Sequence, residues 1–331
     1  MCMVLPLSAC GESKMTQRQV FAMDTVMTLT AYGNKADIGL NAAQSVIMSM
    51  DSMLDPELET STTYAINNAM GASIVVSGQV ADMINTAKTV YDRSGGALDL
   101  SLYPVIKRWG FIDGHYYVPT ELEIAEDLAR KCFGDIVLSS FPSSGSYALT
   151  IPVYGQLTFG AVAKGCAANN AIAAMRNAGV TSGIISLGGN VQTLGKKPDG
   201  SNWTVGITDP DNTTEQIGVL SVNDTAVITS GGYQRNFTKK GKTYHHIIDP
   251  KTGYPADSGL KSVTVVSKDD TLADALSTAL FVRGLEKAVD FYKDNGLDFG
   301  AVFITDNDEI YITDNLNNSF TAEKSFEVIA K

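Results

Sequence analysis

At 331 residues and 44% hydrophobic, with a formal net charge of −11, the chain can bury a substantial core as one large α/β domain or two intimately joined lobes. The acidic balance argues against a nucleic-acid partner, which depends on clustered lysine and arginine. No stretch is long and apolar enough to span a bilayer.

The chain opens MCMVLPLSACGES, and residues 1–19 read as a signal remnant and tether ahead of a single domain at 20–331. Leu7-Ser8-Ala9-Cys10 resembles a bacterial lipoprotein processing box. Nine residues precede Cys10 and none is basic, so the charged start of a secretory signal is missing. The expectation is a true start further upstream and a protein held by lipid at Cys10 on the extracytoplasmic face of the bacterial membrane.

In chain order, residues 20–32 read as a strand and 38–54 as a helix with apolar residues at helical spacing. A helix at 80–94 leads into GGALD, and a shorter one covers 121–131. Strands are expected at 136–139 and 146–151. The run AVAKGCAANNAIAAMRNAG then reads as a helix entered through residues 160–165. Further strands are expected at 183–187, 203–208, 218–228, 243–248, 262–266, 301–304 and 310–313. Helices at 272–282 and 285–294 lie between the last of these. Lys240-Gly241 and Asn307-Asp308 carry hairpin-turn chemistry. Hairpins mixed with crossovers point to an α+β fold with a mainly antiparallel sheet. Trp109 and Trp203 are assigned to packing. Cys132 and Cys166 have no metal-ligand spacing and read as buried thiols, with a disulfide between them left open.

Residues 244–284 carry the densest polar equipment: YHHIIDPKTGYPAD, a β-rich run, then TLADALSTALFVRG. Asp274, Ser277 and Thr278 fall at i, i+3 and i+4, on one side of a helix whose other positions are apolar. Oxygen-only ligation of this kind suits a hard cation such as Mg²⁺, which keeps water and substrate phosphates as its remaining ligands. Local capping, with the two hydroxyls bonded back to the preceding turn, accounts for the triad equally well. His245 and His246 are two of only three histidines. If residues 244–248 form a strand, alternation sends the two rings to opposite faces, so at most one faces a site. A histidine there could serve as general base.

The motifs MDTVMTLTAYG, GGALDLSLYPVIKRWGF, LTFGAVAKGCAANNA, ISLGGNVQTLGKKPDGSNWTVGITDP, VITSGGYQRNFTKKGKTYHHIIDPKTGYPAD and TLADALSTALFVRG run in order from Met23 to Gly284. Together they resemble the ApbE-type flavin transferases, and the resemblance covers most of the chain. It implies an ApbE-like (T-fold-like) α+β fold and Mg²⁺-dependent transfer of FMN from FAD to a threonine hydroxyl of an acceptor flavoprotein, with release of AMP. The acceptor would be a subunit of a membrane redox complex or an extracellular flavoprotein.

Carried over residue by residue, the resemblance implies that Asp274, Ser277, Thr278 and the carbonyl of Ala161 hold the metal. It makes His246 the base, with His245 as the fallback. It assigns Met23, Ala97, Leu98, Asp99, Thr158, Lys164 and Ile248 to the flavin. Read from the residues alone, GGALD is as well explained by an ordinary turn, Lys164 by a solvated charge at a helix start, and SLGGN by a strand-to-turn junction. Thr158 stands where many family members carry an aspartate, so a flavin contact there would lack that negative charge. Two other readings stay open on these residues: an FAD pyrophosphatase that uses water as nucleophile, and a surface lipoprotein that binds flavin without turnover.

Overall fold

The computed structural model describes residues 14–141, 145–294 and 296–331. Cys2 and the processing box ending at Cys10 lie outside the described residues.

The centre of the fold is a nine-stranded sheet whose spatial order follows chain order: Met15–Ala22, Thr25–Tyr32, Gly183–Leu187, Asn190–Leu194, Ala226–Gly231, Leu260–Ser267, Gly300–Thr305, Ile310–Thr313 and Phe326–Ile329. Neighbours pair antiparallel throughout, except for the parallel last pair. Its central strands are buried on both faces. Ala301 and Phe303 point into the main core with the helices, while Val302 and Ile304 point into a second cluster with Val205, Ile207 and Leu220. Side-chain alternation along a strand therefore serves two cores, which is why these segments read as continuous apolar runs.

One face carries the helices Ala36–Leu54, Gly78–Ser94, Ala163–Asn177 and Asp270–Asp294, the last lying directly on the Ala226–Gly231 and Leu260–Ser267 strands. The other is covered by the three-stranded sheet of Trp203–Thr208, Gln216–Val222 and Phe320–Thr321. A third, smaller core gathers Leu102, Val105, Trp109, Phe111, Ile124 and Ile248. Trp109 is thus a packing residue, and its Nε1 also donates to the Gly253 carbonyl at 2.8 Å, pinning the IIDPKTG turn.

The α+β, mainly antiparallel expectation holds, and so do both hairpin turns. Several boundaries differ. The run 20–32 is two strands folded at Met23-Asp24, both in the left-handed region with φ 49° and 58°. Neither residue is the Gly or Asn that announces such a turn, so composition hid it. The first of these strands starts at Met15, inside the expected tether.

The run 218–228 is likewise divided, at Asn223-Asp224-Thr225, and its halves belong to different sheets. The strand expected to reach residue 248 stops at His245, leaving Ile248 in an isolated bridge to Pro255. The helix Asp270–Asp294 is broken at Gly284, with φ 75° and ψ 166°, matching the expected division into two. Among the described residues Cys132 and Cys166 are both free and buried, so the disulfide between them left open above does not form.

Candidate active site

A cleft of about 590 Å³ opens where the Met23-Asp24 turn, the end of the Ala36–Leu54 helix, the GGALD loop and the start of the Ala163–Asn177 helix meet His246–Ile248 and the Asp270–Asp294 helix. It is lined by Met23, Ala97, Leu98, Asp99, Thr158, Ala161, Lys164, His246, Ile248, Asp274 and Thr278. Ser277 and His245 do not line it.

Asp274 lies on the helix face that meets the start of the Ala163–Asn177 helix. The approach is close enough that a Cβ at Gly165 would sit 2.3 Å from the Asp270 carbonyl oxygen and 2.8 Å from Asp274 Cβ. The missing side chain lets the Gly165 N–H donate to Asp274 Oδ2 at 2.8 Å, while Asn190 Nδ2 donates to Oδ1 at 3.0 Å. Asp274 is only 4% exposed, and burial pushes its pKa above the usual carboxylate range, with the Lys164 ammonium opposing. Both of these donors are neutral, so the buried carboxylate has a use for a cation.

Thr278 and Ala161 share the cleft with Asp274. Ser277 instead donates to the Asp274 backbone carbonyl at 2.9 Å and pairs with Ser230 Oγ at 2.8 Å. The hydroxyl that takes its place at the cleft wall is Ser230, which is 3.3 Å from Thr278 Oγ1. Among the described residues no group of three or more His, Cys, Asp or Glu side chains gathers for a metal. A cation here would rest on one carboxylate with neutral oxygens, a donor set suited to Mg²⁺.

His246 follows the strand Lys242–His245 and turns into the cleft. Its Nδ1 lies 3.1 Å from the Arg235 carbonyl oxygen, and a carbonyl can only accept. Nδ1 therefore carries the proton in the neutral ring and Nε2 keeps the lone pair. Burial, with the Lys164 charge adding to it, pushes the His246 pKa down to about 3. His245 turns the other way, with its Nε2 3.0 Å from the Ala256 carbonyl and its ring edge-on to Phe281. Of the two adjacent histidines, only His246 faces the cleft.

Lys164 sits in the first turn of the Ala163–Asn177 helix, whose N-cap Val162 supplies no side-chain cap. The Ala163 and Gly165 N–H groups of this start are taken by the Phe159 carbonyl and by Asp274 Oδ2, so it is the Lys164 ammonium beside the positive helix end that favours an anion. Across the cleft the Met23 N–H donates to Asp51 Oδ1 at 2.7 Å, which holds the left-handed turn in place. Asp99 accepts from both the backbone N–H and the hydroxyl of Ser101, presenting the Ala97-Leu98 backbone at the wall. Thr158 is fixed by its N–H to the Leu100 carbonyl, and its Oγ1 accepts from the Gly160 N–H at 3.4 Å.

Asp51, Asn190, Ser230 and Arg235 are among the lining residues that sequence spacing does not mark. The Gly188-Gly189 turn signal pointed near Asn190, but nothing local marks Asp51 or Arg235. Arg235 pairs with Asp24 at 3.5 Å, linking the left-handed turn to the loop whose carbonyl orients His246.

Known proteins are similar to this chain over most of its length. A family model described as the ApbE family matches residues 23–303. The chain is 31% identical over 306 residues to the FAD:protein FMN transferase of Treponema pallidum, covering 87% of this chain and 84% of that protein. It is 34% identical over 270 residues to one from Klebsiella pneumoniae, covering 81% and 82%. Among solved structures, the ApbE protein of Thermotoga maritima superposes with a TM-score of 0.82 at 26% identity, covering 90% of this chain and 96% of that one.

Proposed function

This chain belongs to the ApbE family and is a FAD:protein FMN transferase, and we propose that its cleft performs the transfer with Mg²⁺ onto a threonine hydroxyl of the acceptor. The observation that carries the reading is that the buried Asp274 carboxylate, the Thr278 hydroxyl and the uncommitted Nε2 of His246 open on one cleft beside Lys164.

The residues present fit the metal: Asp274, Thr278 and the Ala161 carbonyl would hold it, with Gly165 and Asn190 orienting the carboxylate. When bound, Mg²⁺ neutralises charge on the pyrophosphate. The Lys164 ammonium, beside the positive end of its helix, holds the same phosphates from the protein side. His246 Nε2 accepts the threonine proton as the threonine oxygen attacks the phosphorus of the FMN half. The bridging P–O bond breaks and AMP leaves, so FMN ends in a phosphodiester. Little covalent work falls to the protein, and positioning with charge stabilisation supplies most of the rate. Lipid attachment at Cys10 belongs to the same proposal, and fatty-acid labelling lost in Cys10→Ala would test it.

The deciding experiment incubates the protein with FAD and Mg²⁺, with and without a threonine-containing acceptor domain, and follows AMP release together with acceptor mass. A mass gain equal to FMN that needs both Mg²⁺ and the threonine establishes this reading. AMP and free FMN formed at the same rate without acceptor would replace it with hydrolysis. Full FAD cleavage by Asp274→Ala would overturn the metal assignment.

A further inference from the structure

Residues Asn236–Lys239 and Lys242–His245 form a two-stranded ribbon that pairs with no other strand among the described residues. Its tip carries Lys239, Lys240 and Lys242, all exposed. None of them has a carboxylate partner among the described residues. Lys239 and Lys242 lie over the rings of Tyr117 and Tyr244, at 5.5 and 5.4 Å. Beneath them Tyr116, Phe237 and Tyr244 stack in a row that continues onto buried Trp109. The ribbon is therefore rigidly seated, and it presents unpaired positive charge on a chain with a net charge of −11.

The register adds a second feature. Lys239 faces Lys242 across the two-residue turn, Phe237 faces Tyr244, and the His246 N–H donates to the Arg235 carbonyl. In an antiparallel pair hydrogen-bonded and non-hydrogen-bonded positions alternate, so the N–H and C=O of Thr243 point outward along an open edge. That edge runs straight into His246. At about 3.3 Å per residue, four residues added beside Lys242–His245 would span roughly 13 Å, from the lysines to the base.

We propose that this edge docks the acceptor, through an acidic, extended segment that adds as a third strand beside Lys242–His245 and delivers its threonine to His246. The proposal rests on the transferase reading above. An acidic partner is repelled by most of this surface and drawn to the lysine tip, so charge sets the approach while the strand edge sets the register.

The test uses a fluorescein-labelled peptide with one central threonine among aspartates, and its counterpart with lysines for the aspartates. Both are titrated against the wild-type protein, a Lys239→Glu/Lys240→Glu/Lys242→Glu variant, and Thr243→Pro. The proline removes an outward donor and no backbone bond within the hairpin, costing it only the exposed Thr243–Thr238 hydroxyl contact of 3.0 Å, and an edge position tolerates it. The proposal expects the acidic peptide to bind the wild type and to bind each variant at least about tenfold more weakly, with FAD affinity unchanged. Equal binding to all three proteins, preference for the lysine peptide, or no binding by the wild type overturns it. So does binding to phosphatidylglycerol vesicles that the lysine variant loses while the wild type ignores the peptide, since the tip would then be a membrane contact. FMN transfer is followed separately by mass. A peptide that binds as expected, while neither it nor an acceptor domain gains FMN, supports the docking edge and removes the transferase reading instead.

Discussion

Asn190 Nδ2 donates to Asp274 Oδ1 at 3.0 Å, joining a tight turn of the central sheet to a helix 84 positions further along the chain. With the Gly165 N–H on the other oxygen, the carboxylate is held at both ends and its remaining lone pairs are aimed by its neighbours. Outer contacts of this kind typically change metal affinity or activity by about 10–100-fold. Asn190→Ala should raise the Mg²⁺ concentration needed for half-maximal AMP release by about that factor, with FAD binding little changed. An unaltered Mg²⁺ titration would reduce Asn190 to a filler.

Gly165→Ala should be more damaging than its single methyl suggests. The new Cβ would stand 2.3 Å from the Asp270 carbonyl oxygen and 2.8 Å from Asp274 Cβ, so the two helices must part. Overpacking of this order costs about 1–3 kcal/mol, and the shift would also carry Asp274 away from Asn190. Thermal unfolding should report the first effect and Mg²⁺-dependent FAD cleavage the second.

Asp270 makes stability depend on pH. Both its carboxylate oxygens are buried without a hydrogen-bond partner among the described residues, and burial, with Asp269 and Asp274 adding, pushes its pKa up to about 8. The folded state holds this proton more tightly than the unfolded chain does. Its contribution is therefore complete below about pH 4 and is lost as pH rises toward 8. Asp270→Asn keeps the shape but cannot ionise. Relative to that variant, the wild type should lose stability on the order of a few kcal/mol across the window, measured by denaturant unfolding at stepped pH. Parallel curves for the two proteins would refute the assignment.

His246→Ala should lower transfer by about 10²–10⁴-fold while leaving FAD binding near wild type. Because burial holds the free-protein pKa near 3, the ring stays neutral through the ordinary histidine range. The acid limb of kcat/KM for the acceptor should therefore fall well below pH 6.5. An inflection at 6.5 that disappears in the variant would show that the ring is more hydrated than this cleft allows.

Local periodicity made the late helix face and the Lys240-Gly241 hairpin legible, since neighbours three and four apart share a side of a helix and two turn residues set a hairpin register. Alternation likewise separated His245 from His246, and the adjacent-histidine pair indeed splits, one ring toward Ala256 and one into the cleft. The ordered motifs carried the family, and with it the architecture. What periodicity could not supply was contact between distant segments. Ser277 shares its helix face with Asp274 and Thr278, yet its hydroxyl is taken up by the Asp274 backbone carbonyl and by Ser230, brought in by a neighbouring strand, and it is Ser230 that lines the cleft. The left-handed Met23-Asp24 turn has only Asp24 as turn chemistry, with no Gly, and stands because Asp51 binds the Met23 N–H and the flanking strands pair. Spacing along the chain determined which residues could act together on one element; only packing between elements decided which of them face the cleft, because a hydrogen bond between distant segments leaves no local pattern.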